Sequence, residues 1–271
     1  MLQKITQAVD YLQSEGIKDP QIGIVLGTGL GKMAGNFETI KVIDYSSIPH
    51  FPLSTVESHS GKLIYARLHG KTIVAMQGRF HFYEGYSLSE VTFPIRVLKS
   101  LGIKYLILSN ASGALNPVFQ KGELMLLDDH INFLPDNPLR GKNMDEFGPR
   151  FPDMSCPYSK VLNAKLLDIA RREKIILHKG TYVAVMGPNL ETRAEYKMFR
   201  SYADAVGMST VPEVIVANHM NLPCAAISVL TDECDPDNLV PARIEDIIET
   251  AGKAEVHLIR LFSELIREIE I

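Results

Sequence analysis

Tryptophan is absent from the sequence and cysteine is scarce, with only Cys156, Cys224 and Cys234 present. These cysteines form no CxxC pair, so neither a disulfide scaffold nor a thiolate zinc site is expected. No run of about 18 apolar residues occurs, which excludes a transmembrane helix. The N-terminal residues lack the apolar segment of a secretory signal, so we expect a protein of the reducing cytoplasm that does not associate with membranes.

An excess of positive charge is also missing. The chain has 28 lysines and arginines against 32 acidic residues, which gives a net charge of −4 at pH 7. Such a chain has no overall basic field that would bind nucleic acid or an anionic membrane. Any anionic substrate must therefore be held by a local group of residues.

Apolar runs and helical periodicities alternate along the 271 residues. The runs predict strands at 22–26, 105–108, 123–127, 181–185 and 224–230, and a hairpin formed by 63–68 and 72–76. Helices are predicted near 1–15, 159–173, 191–201, 213–220 and 243–268, and from Ser87 to a stop at Gly102 with a kink at Pro94. This order predicts an α/β fold with a central mixed β-sheet flanked by helices. No linker-like segment divides the chain, so we expect a single domain over residues 1–271.

Residues 132–158 have a different composition, rich in Asn, Pro, Gly and Asp and containing Phe133, Phe147, Phe151 and Tyr158. A connection of this length is either functional or disordered. Its aromatic residues favour a packed loop with a functional role.

A glycine-rich segment, Gly27-Thr28-Gly29-Leu30-Gly31, directly follows the first predicted strand. Such a turn can present successive N–H groups to an anion, and Thr28 adds a hydroxyl donor. The spacing matches neither the phosphate loop GxxxxGK[ST] nor the dinucleotide motif GxGxxG. An ordinary tight turn between a strand and a helix remains the alternative.

The segment Gly78–Tyr86 concentrates an arginine, a histidine, two tyrosines and a glutamate after another predicted strand. An extended backbone would put Arg79, His81 and Tyr83 on one side and the two phenylalanines between them on the other. Open α/β sheets bind ligands at such strand ends. The alternative is a surface hairpin end with a solvated arginine.

Weaker candidates are single residues in polar turns. His59 lies in one such turn. Small residues at 110–117 would let a ligand lie flat against the backbone, and a compact loop without a ligand is the alternative. Glu191 either stabilises a helix N-terminus or accepts hydrogen bonds from a ligand. Asp232 lies in an acidic segment that is either solvated or turned toward a ligand. The histidines show no zinc spacing, so no metal site is expected.

Together these segments closely resemble the trimeric, low-molecular-mass purine nucleoside phosphorylases. Residues 78–85, 110–117, 187–192 and 207–214 occur in the family's order and spacing, and the resemblance extends from about residue 20 to about 232. It implies reversible phosphorolysis of purine (deoxy)nucleosides to a free base and (deoxy)ribose 1-phosphate. It also implies a nucleoside phosphorylase-like fold, a homotrimer, and no metal or organic cofactor, with inorganic phosphate as the co-substrate.

The resemblance also assigns roles to individual residues. The phosphate ligands it implies are Thr28, His59, Arg79, His81, Ala111 and Ser209. The residues it places near the nucleoside are Tyr83 and Met208 at the ribose, and Asn110, Leu190, Glu191, Val206 and Asp232 at the base. It implies that His81, Glu191 and Asp232 are catalytic, and that Phe151 reaches across a subunit boundary to cover the sugar in the neighbouring site.

Three positions depart from the family pattern. Leu190 replaces an aromatic residue, Glu245 lies nearest to where many members have a histidine at the 5′-hydroxyl, and Asp232 replaces the asparagine of members specific for 6-oxopurines. Because Glu191 is kept as the partner of the purine N1–H, we expect inosine and guanosine to be preferred.

Three alternatives to this expectation stay open. An ionised Asp232 would suit a 6-amino group, so phosphorolysis of adenosine or 5′-methylthioadenosine is the first. A dinucleotide-dependent oxidoreductase that uses Gly27–Gly31 is the second, and a non-catalytic nucleoside-binding module is the third.

Overall fold

Nine strands form one mixed β-sheet in the computed structural model, which describes residues 1–27, 31–55, 60–241 and 243–271. The strands are β1 Ile22–Leu26, β2 Glu38–Asp44, β3 Lys62–Leu68, β4 Lys71–Gln77, β5 Tyr105–Ala114, β6 Leu124–Asn132, β7 Leu177–Ala184, β8 Ala205–Gly207 and β9 Cys224–Glu233. Their order is β2-β3-β4-β1-β5-β8-β7-β6-β9, and β5 also pairs with β9. This additional pairing joins β5, β8, β7, β6 and β9 into a ring.

The sheet is mixed because it contains both parallel and antiparallel pairs of neighbouring strands. Strand β1 runs parallel to both β4 and β5, and β9 runs parallel to β5. The carboxyl ends of these four strands therefore meet at one edge, where open α/β sheets bind their ligands. The predicted α/β fold with a central mixed sheet is confirmed.

Helices cover both faces of the sheet. They are α1 Leu2–Ser14, α2 Leu88–Val91, α3 Phe93–Ser100, α4 Lys160–Glu173, α5 Arg193–Arg200, α6 Val211–His219 and α7 Ile244–Glu268. Helices α1, α3 and α6 pack into one apolar core, and α4 and α7 pack into a second. None of the helices in the described ranges is long and apolar enough to span a bilayer.

Edge strand β2 has no counterpart in the sequence prediction. Among its seven residues only Ile43 is buried, so the strand shows neither a continuous apolar run nor a regular alternation. It pairs only with β3, in an antiparallel register with a bulge between Thr39 and Lys41. The predicted hairpin of β3 and β4 and the predicted long loop after β6 are both confirmed.

The predicted loop at 110–117 is wrong as far as Ala114. Strand β5 continues to that residue because β9 and β8 pair with it, for example Asn110 with Ser228 and Gly113 with Val206. Its small residues therefore stand on a strand with a fixed geometry. Only the part after Ala114 is a turn.

The helix predicted from Ser87 is divided into α2 and α3 at Thr92. Ser87 caps α2 in the predicted capping box with Glu90. Pro94 lies in the first turn of α3, where its missing N–H costs little, and it cannot continue the hydrogen bonds of α2. The interruption falls two residues before Pro94, the residue at which the sequence predicts a kink.

Candidate active site

A cavity of about 300 Å³ lies at the edge where β4, β5 and β9 end, together with β8. Eleven of its lining residues were singled out from the sequence: Arg79, His81, Tyr83, Asn110, Ala111, Leu190, Glu191, Val206, Met208, Ser209 and Asp232. Two sets of polar side chains stand out in this lining. We call Arg79, His81 and Ser209 the basic group, and Glu191, Tyr196, Asp232 and Cys234 the acidic group.

Arg79 is the fixed cation of the basic group. Its side chain is only 1% exposed, and its Nε donates to Oε1 of Glu213 at 3.1 Å. Its Nη1 donates to the carbonyl of Ser109 at 2.5 Å and lies 3.4 Å from Oγ of Ser209. Burial and these hydrogen bonds hold the planar guanidinium in one orientation, which suits binding of a tetrahedral oxyanion.

His81 is oriented by Glu84, a residue that sequence reasoning did not assign. Oε1 of Glu84 accepts hydrogen bonds at 2.8 Å from both the backbone N–H and Nδ1 of His81. This contact exists because Phe82–Glu84 form a 3₁₀ turn, so the predicted extended backbone is wrong beyond His81. Arg79, His81 and Tyr83 nevertheless all line the cavity, and the ring of Tyr83 stacks on His81 with centroids 4.6 Å apart.

The protonation states of this pair follow from burial and hydrogen bonding. Burial lowers the pKa of His81, which outweighs the opposing effect of Glu84. Burial alone would raise the pKa of Glu84, but hydrogen bonds from His81 and Thr55 lower it to about 2. Glu84 is therefore an anion at neutral pH, and it fixes the tautomer of His81 with the proton on Nδ1.

Replacing Glu84 with glutamine should destabilise the protein at pH 7 by about 1.5–3 kcal/mol, the usual cost of losing a charged hydrogen-bond acceptor. The folded-state pKa of Glu84 lies below its ordinary 4.5, so the wild type loses this stabilisation as the pH falls from 4.5 toward about 2. The difference between variant and wild type in the free energy of unfolding, measured in urea, should shrink over this range. Glu38→Gln on the exposed edge strand is the matched control, and a pH-independent difference would contradict the assignment.

Asn110 and Thr210 form a buried pair of polar residues beside Ser209 of the basic group. Nδ2 of Asn110 donates to Oγ1 of Thr210 at 2.9 Å, and its Oδ1 accepts from Ser228 at 2.7 Å. Thr210 has a φ of 67°, a strained conformation for a β-branched residue, and its side chain is fully buried beside Ser209. The hydrogen bond from Asn110 helps to hold this strained backbone.

Glu191 belongs to the acidic group and does not cap α5. Thr192 is the N-cap, and its capping box is completed by Glu195. Glu191 lies one residue before the N-cap, and it lines the cavity. Burial raises its pKa, and the nearby carboxylate of Asp232 adds to the rise, while a hydrogen bond from Tyr196 opposes it.

Asp232 is held by Thr231 on β9 and by Cys234, which directly follows the end of β9. Oγ1 of Thr231 donates to its Oδ1 at 2.9 Å, and the Cys234 thiol donates to its Oδ2 at 3.3 Å. A Cβ at Gly113 would lie 2.3 Å from the sulfur of Cys234, so only glycine leaves room for this arrangement. The side chain of Tyr196 interacts with both Glu191 and Cys234 and completes the acidic group.

Comparison with known proteins identifies the family. Residues 21–267 match the model of the phosphorylase superfamily. Purine nucleoside phosphorylase 1 of Bacillus subtilis is 44% identical over 271 residues, which cover all of both chains. The chain belongs to the purine nucleoside phosphorylases. The dinucleotide-dependent oxidoreductase and the non-catalytic binding module are therefore not favoured.

Two crystal structures of a purine nucleoside phosphorylase from Schistosoma mansoni share this phosphorylase's fold. One is a complex with adenosine, with a TM-score of 0.94 and 36% identity. The other is a complex with hypoxanthine, with a TM-score of 0.93 and 37% identity. Each alignment covers 99% of this chain and 98% of the other.

Two described residues considered in the sequence analysis, Phe151 and Glu245, do not line the cavity of this phosphorylase. Thr28 and His59 lie outside the described residues. Phe151 is 86% exposed and borders a separate cavity. Glu245 lies in the first turn of α7 and contacts Arg243.

The cavity also contains residues to which sequence reasoning gave no individual role, some of them inside the segments that it singled out. These are Ser112, Gly113, Pro188, Tyr196, Gly207, Thr231, Cys234, Ile244 and Ile247. A signal existed for Cys234, because it follows Asp232 by two residues within the same acidic segment. Nothing in the sequence shows that Ile244 and Ile247, at the start of α7, return to this edge of the sheet.

Proposed function

We propose that this phosphorylase cleaves inosine, guanosine and their 2′-deoxy analogues with inorganic phosphate, releasing the free base and (deoxy)ribose 1-phosphate. The observation that carries the proposal is the division of one cavity into a basic group and an acidic group. The basic group suits the phosphate and the acidic group suits the N–H groups of the purine. The reaction needs no metal or organic cofactor.

Phosphate binds to the basic group. Arg79 offers its planar set of donors, and His81 and the Ser209 hydroxyl provide further hydrogen bonds. The backbone N–H of Ala111 adds a donor from β5. Family resemblance alone adds Thr28 and His59 to this set.

The nucleoside lies between the two groups. Tyr83 and Met208 contact the ribose, and Val206 and Leu190 pack against the base. The sulfur of Met208 packs closely against Gly187. A Cβ at residue 187 would lie only 2.3 Å from this sulfur, so glycine is needed there to keep Met208 in place. The sugar C1′ is thereby presented to the phosphate beneath it.

Cleavage of the bond from C1′ to N9 leaves positive charge on the sugar and negative charge on the purine. The phosphate dianion stabilises the sugar cation and then bonds to C1′, while the bonding electrons leave with the base. Ionised Glu191 accepts the hydrogen bond from the purine N1–H and orients the base. Asn110 and Asp232 lie beside the purine, where hydrogen bonds that strengthen as negative charge develops stabilise the departing anion.

A substrate panel tests this function directly. Inosine, guanosine, adenosine and 5′-methylthioadenosine are each incubated with and without phosphate, and the free base is measured. We expect turnover only with phosphate, and faster turnover of the two 6-oxopurines. Equal rates without phosphate would identify a hydrolase, and faster turnover of the 6-aminopurines would identify an adenosine or 5′-methylthioadenosine phosphorylase.

Replacing Asp232 with asparagine should raise the inosine-to-adenosine ratio of kcat/KM by about 10- to 100-fold. An amide donates to the 6-oxo group at every pH, whereas the carboxylate accepts from a 6-amino group only when ionised. Asp237→Asn, an exposed change five residues away, is the control. An unchanged ratio would show that Asp232 does not distinguish the two classes of base.

The active assembly is a homotrimer in the reducing cytoplasm, in which Phe151 covers the sugar in a neighbouring site. The ring of Phe151 is 86% exposed, with the Arg150 guanidinium 5.7 Å from its centroid, and so is accessible to a neighbouring subunit. Phe151→Ala should raise KM for inosine about tenfold while kcat changes less.

Sedimentation equilibrium should give three times the chain mass, and a monomer with full activity would contradict the proposal.

A further inference from the structure

A row of hydrogen-bonded side chains leads from the inside of the sheet to the basic group. It begins at Ser228 on β9, passes through Asn110 on β5, and ends at Thr210 and Ser209 directly before α6. Ser228, Asn110 and Thr210 are 0%, 1% and 0% exposed. Ser209 lines the active-site cavity and Ser228 does not. We call these four residues the polar chain.

The amide of Asn110 has one favoured orientation in the polar chain. Oγ of Ser228 donates to Oδ1 of Asn110 at 2.7 Å, and Nδ2 of Asn110 donates to Oγ1 of Thr210 at 2.9 Å. If the amide were flipped, Nδ2 would donate to Ser228, and the Ser228 hydroxyl proton would lose its acceptor in the described ranges. A buried donor without an acceptor is costly, so Ser228 selects the observed orientation.

Thr210 passes this orientation on. Its Oγ1 has to accept from Asn110, because an amide N–H can only donate. The hydroxyl proton of Thr210 is then left to donate, and its acceptor within the described ranges is Oγ of Ser209 at 3.4 Å. Thr210 keeps this position although its φ of 67° is strained, which indicates that the surrounding contacts hold it there.

The Ser209 hydroxyl is the acceptor of two hydrogen bonds in this arrangement. Nη1 of Arg79, which can only donate, lies 3.4 Å from the same Oγ that accepts from Thr210. The proton of Ser209 is therefore available for an acceptor in the cavity, such as a phosphate oxygen. A chain of the opposite direction would turn an oxygen lone pair of Ser209 toward the phosphate instead.

We propose that Ser228 is a positioning residue for phosphate, because through Asn110 and Thr210 it fixes the direction in which Ser209 donates its proton. The inference rests on the proposed function, in which Ser209 binds phosphate. Hydrogen bonds that point the same way polarise one another, so each bond of the polar chain strengthens the last one, from Ser209 to phosphate. Nδ2 of Asn110 has a second N–H, which keeps its place beside the purine.

Steady-state phosphorolysis by the full-length enzyme tests the proposal. Ser228→Ala should raise KM for phosphate by about three- to tenfold, while kcat and KM for inosine change by less than about twofold. Ser228→Ala should have no further effect on KM for phosphate when Ser209 is already alanine, because the chain acts only through Ser209. An unchanged KM for phosphate in Ser228→Ala, or an equal increase in the Ser209→Ala background, would overturn the role of Ser228.

Two variants of Thr210 keep the test decisive if Ser228→Ala fails to fold. Thr210→Val keeps the shape and the β-branch but has no hydroxyl, so KM for phosphate should rise about tenfold, whereas Thr210→Ser should stay within about twofold of the wild type. Thr92→Val is the control, since Thr92 is also a fully buried hydroxyl and does not line the cavity. Equal KM values for phosphate in the two Thr210 variants would refute the polar chain.

The wild type distinguishes this inference from the proposed function. Release of the base at equal rates with and without phosphate would contradict the proposed function and the polar chain together. A wild type that depends on phosphate, combined with Ser228 and Thr210 variants of unchanged KM, would contradict the polar chain alone.

Discussion

Glu191→Ala is expected to lower kcat/KM for inosine by about 100- to 1,000-fold, the effect of removing one hydrogen bond that strengthens in the transition state. In the proposed function, the Glu191 carboxylate is the acceptor of the hydrogen bond from N1–H of the purine. Glu191→Gln keeps a neutral acceptor and should fall between alanine and wild type. Steady-state phosphorolysis measures the effect, with Glu249→Ala on the exposed side of α7 as the control.

The pH dependence of the same reaction supplies an independent check on Glu191. Burial raises the pKa of its carboxyl, so the ionised acceptor is lost at a higher pH than for an exposed glutamate. Below that pKa, kcat/KM for inosine should fall about tenfold per pH unit. Asp232→Asn removes a nearby negative charge and should shift this limb to lower pH. An unshifted limb in Asp232→Asn, or an unchanged limb in Glu191→Gln, would assign the titration to another group.

Arg79→Met should have the second large effect, on both catalysis and folding. Loss of the guanidinium removes the main cation that we assign to phosphate and should lower kcat/KM for phosphate by about 1,000-fold. It also leaves Glu213 buried without its partner at 3.1 Å, which should cost about 3–5 kcal/mol in the free energy of unfolding.

A double variant separates these two consequences of losing Arg79. In Arg79→Met with Glu213→Gln no charge of the pair remains, so most of the lost stability should return while activity stays low. Urea unfolding and phosphorolysis are measured on the same preparations. Recovery of activity together with stability would show that Arg79 acts only through the fold.

The sequence predicted the site better than it predicted the backbone that carries it. Arg79, His81 and Tyr83 were grouped on an assumed extended segment, and all three line the cavity even though Phe82–Glu84 turn into a 3₁₀ helix. The turn matters because it folds Glu84 back onto His81. A pattern of alternation cannot reveal such a contact, since it depends on where the chain leaves the strand.

Residues that are distant in sequence were the least predictable part of the site. Ile244 and Ile247 reach the cavity because α7 packs along the sheet, and amphipathic periodicity shows only that a helix has an apolar face. The strained backbone of Thr210 and its hydrogen bond from Asn110 also depend on two strands and a helix meeting. No local sequence pattern predicts contacts between elements that are distant in the chain.

By itself the sequence determined the alternation of strands and helices, the chemistry available at each strand end and, through four ordered motifs, the family. Burial periodicity and turn residues act over a few positions, so they can be recognised without a structure. Only the tertiary structure decided that Glu191 faces the cavity rather than capping α5, that Asp232 is bonded to Cys234, and that Ser228 orients the amide of Asn110. Each depends on desolvation and on partners far along the chain, and these exist only once the chain has folded.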